Sequence, residues 1–317
     1  MKKKICAYAI PTIIAAFLVV FSSCNKDDDD IPTISGLVSD RSLLTTLNTA
    51  VIKGGLAAKL NGTEQLTLLA PTNDAFAAAG ITATVLESLS SNDVANILNY
   101  HVIPSKILAA DMPTGPNAKV LTFNGDSVFV TRNTNGVFVN GLKVAEADII
   151  ASNGVVHTLN TGVLMPAPGN ILATAAANGL DSMVKALNVA ATGAGGDPTI
   201  ATSIANDLLT IFVPTNAAFT ALLTELGLTD INQIPIATLI ATLKFHAIEG
   251  RTFSSDLTNG NLTMVSGGIT TITLPAGSST VTTISGLGNG TNTAKITKAN
   301  IVCRNGVIHV IDKILIP

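Results

Sequence analysis

The chain has no tryptophan, two tyrosines and four histidines in 317 residues, and only 12% of it is charged. So small a stock of ionisable side chains leaves little material for acid–base work or metal ligation. Cysteine is equally scarce. Cys6 and Cys24 fall in the first 24 residues, so Cys303 stands alone downstream and no intramolecular disulfide is available there. Stability must therefore come from packing, and Cys303 reads as a buried structural thiol. Beyond Lys2, Lys3 and Lys4 there is no basic cluster. Without that triplet 15 basic residues face 21 acidic ones, a net charge of −6, which argues against a nucleic-acid partner. The enzyme signatures G-x-S-x-G and H-E-x-x-H are missing, as are a phosphate-cradling glycine loop and any pair of carboxylates repeated in both copies. The GAGGDPT stretch (193–199) lacks the lysine of a nucleotide site and reads as a flexible insertion. No catalytic residue, metal or cofactor is nominated.

What the chain has in abundance is repetition. LTLLAPTNDAFAA (66–78) returns as LTIFVPTNAAFTA (209–221), NYHVIP (99–104) as KFHAIEG (244–250), and NGVVHTLNTGVLMP (153–166) as NGVIHVIDKILIP (305–317). Three blocks in one order, 143 to 152 residues apart, describe two copies of one domain, each long enough to close its own core. MPAPGN (165–170) marks the boundary, giving domains over 34–167 and 168–317.

The N-terminus carries Lys2 to Lys4, an apolar stretch from Ile5 to Phe21, then Ser22, Ser23 and Cys24. This is the pattern of an export signal over 1–23, although 17 residues is also the lower edge of a membrane span. The acidic NKDDDDIP that follows reads as a solvated tether over 24–33. F-S-S-C resembles a bacterial lipobox, and that resemblance implies cleavage before Cys24 and lipidation of it. An acidic run behind the cysteine is similar to the surface-export signal of Bacteroidetes lipoproteins.

Within each copy, helices lead and strands follow. Leu43, Leu44, Leu47 and Val51 predict a helix capped by Ser39 or Asp40 and ended at Gly54-Gly55. A strand from Leu66 to Ala70 stops at Pro71, and Thr72 or Asn73 caps the next helix; Pro214 and Thr215-Asn216 repeat this. Val94, Ile97, Leu98 and His101, and in the second copy Ile236, Leu239, Ile240 and Leu243, keep helical spacing. Seven Asn-Gly pairs, among them 153–154 and 305–306, predict tight hairpins in the β-rich remainder. The fold class is α+β, a sheet-rich sandwich with helices packed on one side.

The P-T-N-x-A-F block, the aromatic-His pair and the closing N-G-V-[VI]-H…P block together resemble the fasciclin domain, an adhesion module. The resemblance covers nearly all of 34–317 as two tandem domains. It implies a β-sandwich wedge with packed helices in each, and a role in adhesion. The aromatic-His pairs Tyr100-His101 and Phe245-His246 stand where that family has its Tyr-His adhesion motif, and the second copy replaces the tyrosine. A role for the phenol hydroxyl would survive only in the first domain; a role for the ring as packing would survive in both. Adhesive contacts would then fall on the following loops, Ile103 to Met112 and Ala247 to Leu257, which differ in sequence. His157 and His309 share strand faces with Val155 and Val307 and read as inward-pointing core groups.

The reading that follows is an outer-membrane, surface-exposed lipoprotein, held by its lipid anchor, that binds an extracellular glycan, matrix component or surface protein, with tandem domains adding avidity. A second reading is a small-ligand or glycan-fragment binder of an outer-membrane uptake system. A third is a hydrolase of a surface polymer.

Overall fold

The computed structural model describes residues 31–274 and 283–317. The export signal, Cys24 and most of the tether lie outside the described residues. In the first copy the elements are α1 (Ile34–Asp40), α2 (Thr45–Lys53), α3 (Ala57–Leu60), β1 (Leu66–Pro71), α4 (Asn73–Ala78), α5 (Ala83–Ser88), α6 (Ser91–Tyr100), β2 (Val102–Ile103), β3 (Gly115–Leu121), β4 (Ser127–Asn133), β5 (Gly136–Val139), β6 (Leu142–Ala151) and β7 (Gly154–Leu159). The second copy runs α7 (Ile171–Ala177), α8 (Asp181–Thr192), α9 (Pro198–Asn206), β8 (Leu209–Pro214), α10 (Asn216–Glu225), α11 (Ile236–Lys244), β9 (Ala247–Glu249), β10 (Gly260–Thr263), β11 (Ile269–Thr273), β12 (Thr283–Gly286), β13 (Ala294–Cys303) and β14 (Gly306–Ile311).

Both copies build the same seven-stranded sheet, in the order β2-β1-β7-β6-β5-β4-β3 and, matched strand for strand, β9-β8-β14-β13-β12-β11-β10. Among the described residues only β1/β7 and β8/β14 pair in parallel. These four strands are buried along their whole length, which explains why they are mostly apolar on both faces. Alternation then sorts their side chains. Leu66, Leu68 and Ala70 face a core made with the helices, while Leu69 and Leu159 face a second core closed by β3 to β6. The α+β architecture with two sheet-and-helix domains is thus established, and the sheet is interleaved between two cores rather than stacked on one.

Register shifts in β6, between Val144 and Glu146 and again before Ile149, let one strand serve both halves of the sheet; β13 repeats them. At the matched bulges Asp148 (φ 59°) and Asn300 (φ 64°) adopt the left-handed conformation that Asp and Asn tolerate.

Some local expectations change. Ser39 and Asp40 do not cap a long helix; they end α1, whose cap is Thr33, and a 3₁₀ turn over Ser42–Leu44 intervenes before α2. Sequence spacing could not separate the two helices because Val38, Leu44, Leu47 and Val51 all reach one core. Thr72 and Thr215 are the caps of α4 and α10. Asn73 and Asn216 instead reach backward, donating to the Ser42 and Gly179 carbonyls and accepting from the amides of Thr46 and Ser182. Asp197 caps α9 and pairs with Lys244 at 3.0 Å.

The Asn-Gly pairs that open β7 and β14 do more than turn the chain. Asn153 Oδ1 accepts from the Ile34 amide at 2.8 Å while its Nδ2 donates to the Leu60 and Gly62 carbonyls. Asn305 does the same with Ile171, Ile204 and Asp207. Each asparagine staples the first helix, the segment before the central strand and the hairpin. Beside them, a Cβ on Gly154 would lie 2.0 Å from the Leu66 carbonyl oxygen, and one on Gly306 would lie 1.8 Å from that of Leu209. Replacing Asn153 with Ala strands two buried backbone groups and one part-buried one and is expected to cost roughly 2–4 kcal/mol, read as a fall in urea midpoint at unchanged slope. An unchanged midpoint would remove the staple from the account.

Candidate functional site

Helix α6 ends at Tyr100, and His101 serves as its C-cap. The His101 ring turns back on that helix: Nδ1 donates to the Ile97 carbonyl at 2.8 Å, and Nε2 accepts from the Leu164 amide at 3.0 Å. A carbonyl can only accept and an amide N–H can only donate, so the tautomer is fixed. His246 reproduces the arrangement, donating to Thr242 and accepting from Leu315. Each ring ties the end of the second helix to the closing segment of its domain, and burial lowers both imidazoles to about 4.

The aromatic partners diverge. Tyr100 is 1% exposed; its hydroxyl donates to the Ser127 carbonyl and accepts from Asn140 Nδ2, both at 3.0 Å, joining β4 to the β5–β6 turn. Burial pushes the phenol up to about 12. Phe245 is just as buried, and Cβ atoms on Gly268 or Gly286 would fall 2.6 and 2.5 Å from its ring. At the matched turn Asn289 faces the C-terminal segment instead, accepting from Ile316 and donating to Ile314. Both aromatic rings pack inside the fold, and the hydroxyl is spent on an internal bridge.

His157 and His309 anchor the loops that follow. His157 Nδ1 accepts from the bulge amide of Asp148 at 3.1 Å and Nε2 donates to the Ile107 carbonyl at 2.9 Å. His309 links Asn300 and Thr252 in the same way. Burial lowers His309 to about 4. Thr67 and Thr210 complete the clamp: each hydroxyl donates to a loop carbonyl, Ser105 or Gly250, and accepts an amide two residues later, Ile107 or Thr252. All eight imidazole nitrogens are therefore engaged by backbone groups and present no lone pair to a metal. The thiol of Cys303 is buried, and burial raises it to about 11.

The two loops, held by one mechanism, have opposite fates. In the first, Pro104, Ser105, Lys106, Ala110 and Asp111 are exposed. The second is folded against the first domain. The Phe253 ring lies tilted against that of Phe129, their centroids 6.0 Å apart, Thr131 Oγ1 donates to Asp256 at 3.0 Å, and Asn117 Nδ2 donates to the Arg251 carbonyl. The Arg251 guanidinium lies 4.0 Å over the Phe129 ring and donates to the carbonyls of Cys303, Arg304 and Gly306. Sequence reading missed Arg251, Thr67, Thr210 and the bulge residues. A signal existed for the last three: a threonine at the second position of both central strands, and an Asx nine residues before each strand histidine.

The family model for the Fasciclin domain matches residues 42–166 and 182–317. Protein sll1483 of Synechocystis sp. is 35% identical over 140 residues, 44% of the chain and 76% of that protein. Transforming growth factor-beta-induced protein ig-h3 of Oryctolagus cuniculus is 29% identical over 269 residues; the match takes in 83% of the chain but spans only 36% of that relative's length. Among solved structures, a FAS1 domain pair from the insect cell adhesion molecule Fasciclin I aligns with 87% of the chain and 97% of its own, at 18% identity and a TM-score of 0.38.

Histidines held at about 4 in the folded state ionise near 6.5 when unfolded, so the unfolded chain takes up protons first as pH falls. Their stabilisation is complete above pH 6.5 and lost between 6.5 and 4. By pH 5 each costs about 2 kcal/mol. The expected result is a steep drop in urea midpoint from pH 7.5 to 5; a flat profile across that window would show that these rings are not buried neutral. Tyr100→Phe, which strands Asn140, is expected to lose about 1–2 kcal/mol by the same assay.

Proposed function

The chain belongs to the fasciclin domain family, and from that premise we propose that it is a cell-surface adhesion lipoprotein, anchored through Cys24, whose contact with a glycan, matrix component or surface protein is made by the loop of 103–112. One observation carries the choice of loop. Of two segments clamped by matched histidines and threonines, the first presents Pro104, Ser105, Lys106, Ala110 and Asp111 to solvent, whereas the second exposes Glu249 alone. The second is sequestered by Phe129, Asn117 and Thr131.

Family membership supports adhesion or binding in general. The lipobox-like F-S-S-C and the acidic run behind it support the anchor and the outer-membrane placement. A loop with rigid ends and an exposed middle suits recognition, because its ordering cost is already met in the free protein. With one free loop per chain, avidity comes from many anchored copies rather than from the two domains of one chain.

Binding of the mature 25–317 protein to a glycan and matrix-protein array is expected to identify at least one ligand, and Lys106→Glu with Asp111→Lys is expected to weaken it at least tenfold. Silence across the array, or equal binding by the double variant, would defeat the loop assignment. The anchor has its own test: Cys24→Ser is expected to abolish incorporation of labelled fatty acid and release the protein from the membrane fraction.

A further inference from the structure

The duplicated fold leaves one interior space filled in one copy and open in the other. In the first domain, Phe76, Leu98, His101 and Val163 border a remnant of about 10 Å³. Ile81, and Leu86 and Leu89 of α5 and its flank, occupy what would otherwise be a cavity. The matched residues of the second domain, Phe219, Leu243, His246 and Ile314, border a cavity of about 190 Å³. The difference has a local cause. Between α10 and α11 there is no counterpart of α5, only the 3₁₀ turn Ile231–Gln233, and from that segment only Leu226, at the rim, and Ile234 reach the space.

The lining defines the chemistry of an occupant. Met183, Leu222 and Leu239 complete the wall, and no charged side chain contributes to it. His246 has both nitrogens committed to backbone and offers nothing to a ligand. Polarity appears only as Thr238 and Thr242, whose hydroxyls have no hydrogen-bond partner among the described residues, with Thr238 exposed at the mouth. Leu226 and Ile316, 54% and 40% exposed, make the rim apolar too. An ionised group would enter at severe desolvation cost, whereas an aliphatic one replaces what the first domain supplies from its own chain. Size narrows the class further. A dry apolar cavity of about 150 Å³ takes up benzene, and pockets for drug-sized ligands start near 300 Å³. The space is too small for a glycan fragment or a porphyrin.

We propose that this cavity is a binding site for a short neutral aliphatic chain of roughly six to ten non-hydrogen atoms, with a hydroxyl-type polar end held at Thr238 and Thr242. The site does not depend on the adhesion reading: it lies among α8, α10 and α11, away from the loop of 103–112.

The probe is 1-octanol, titrated into the mature protein with thermal unfolding and methyl NMR as readouts. The expected result is a saturable rise in Tm, with shifts centred on the methyls of Met183, Leu222, Leu226, Leu239, Leu243 and Ile314. Thr238→Trp, which covers the mouth from an exposed position, and Thr242→Ile, which installs the first domain's Ile97 side chain, are each expected to weaken binding at least tenfold without lowering the ligand-free Tm by more than a few degrees. If one variant fails to fold, the other decides. No saturable effect up to the solubility limit, binding undiminished in the folded variant, or methyl shifts centred elsewhere would each overturn the assignment.

Discussion

Everything distinctive in these two domains depends on imidazole rings that accept a hydrogen bond at one nitrogen and donate at the other. His101 and His246 close each domain by joining a helix end to that domain's last segment. His157 and His309 join the bulged strand to the loop beyond the aromatic. A neutral imidazole accepts an amide N–H at one nitrogen and donates to a carbonyl at the other while its flat ring stays packed in the core. The requirement is strict: a second proton would turn the accepting nitrogen into a donor facing an N–H.

Duplication has been followed by specialisation at two places. The Tyr100 hydroxyl joins β4 to the β5–β6 turn, whereas Phe245 is wedged between glycines and the asparagine of the matched turn serves the C-terminal segment. The loop after the aromatic-His pair stays free in one copy and becomes the seam between domains in the other. Divergence in loop sequence marked it as the place where partners are chosen; in the second copy the partner is the first domain. Arg251 seals that choice by filling three carbonyls of its own domain while covering an aromatic ring of the other.

Much of this was readable in the chain. Repetition fixed the domain number, the strand–proline–cap signal located β1 and β8, and the strand faces shared by His157 with Val155 and by His309 with Val307 marked the closing strands. Contacts across long sequence distances were not readable. Arg251 has the sequence context of an ordinary surface residue, and its burial follows only from the packing of Phe129 and Phe253. The split between α1 and α2 was hidden because a short 3₁₀ turn preserves the facing of apolar side chains. Local pattern gave the histidines their inward direction, but their partners at Leu164, Ile107 and Thr252 lie 50 to 63 residues away and no periodicity points to them.

The Asn153 staple has a mechanical meaning. A pull applied between residue 34 and the loop of 103–112 is carried by α1, the staple, the paired strands β1 and β7, and the Thr67 clamp, all within the first domain. The second domain hangs outside this load path. Tension on the exposed loop leaves its core, and the apolar cavity inside it, unstrained.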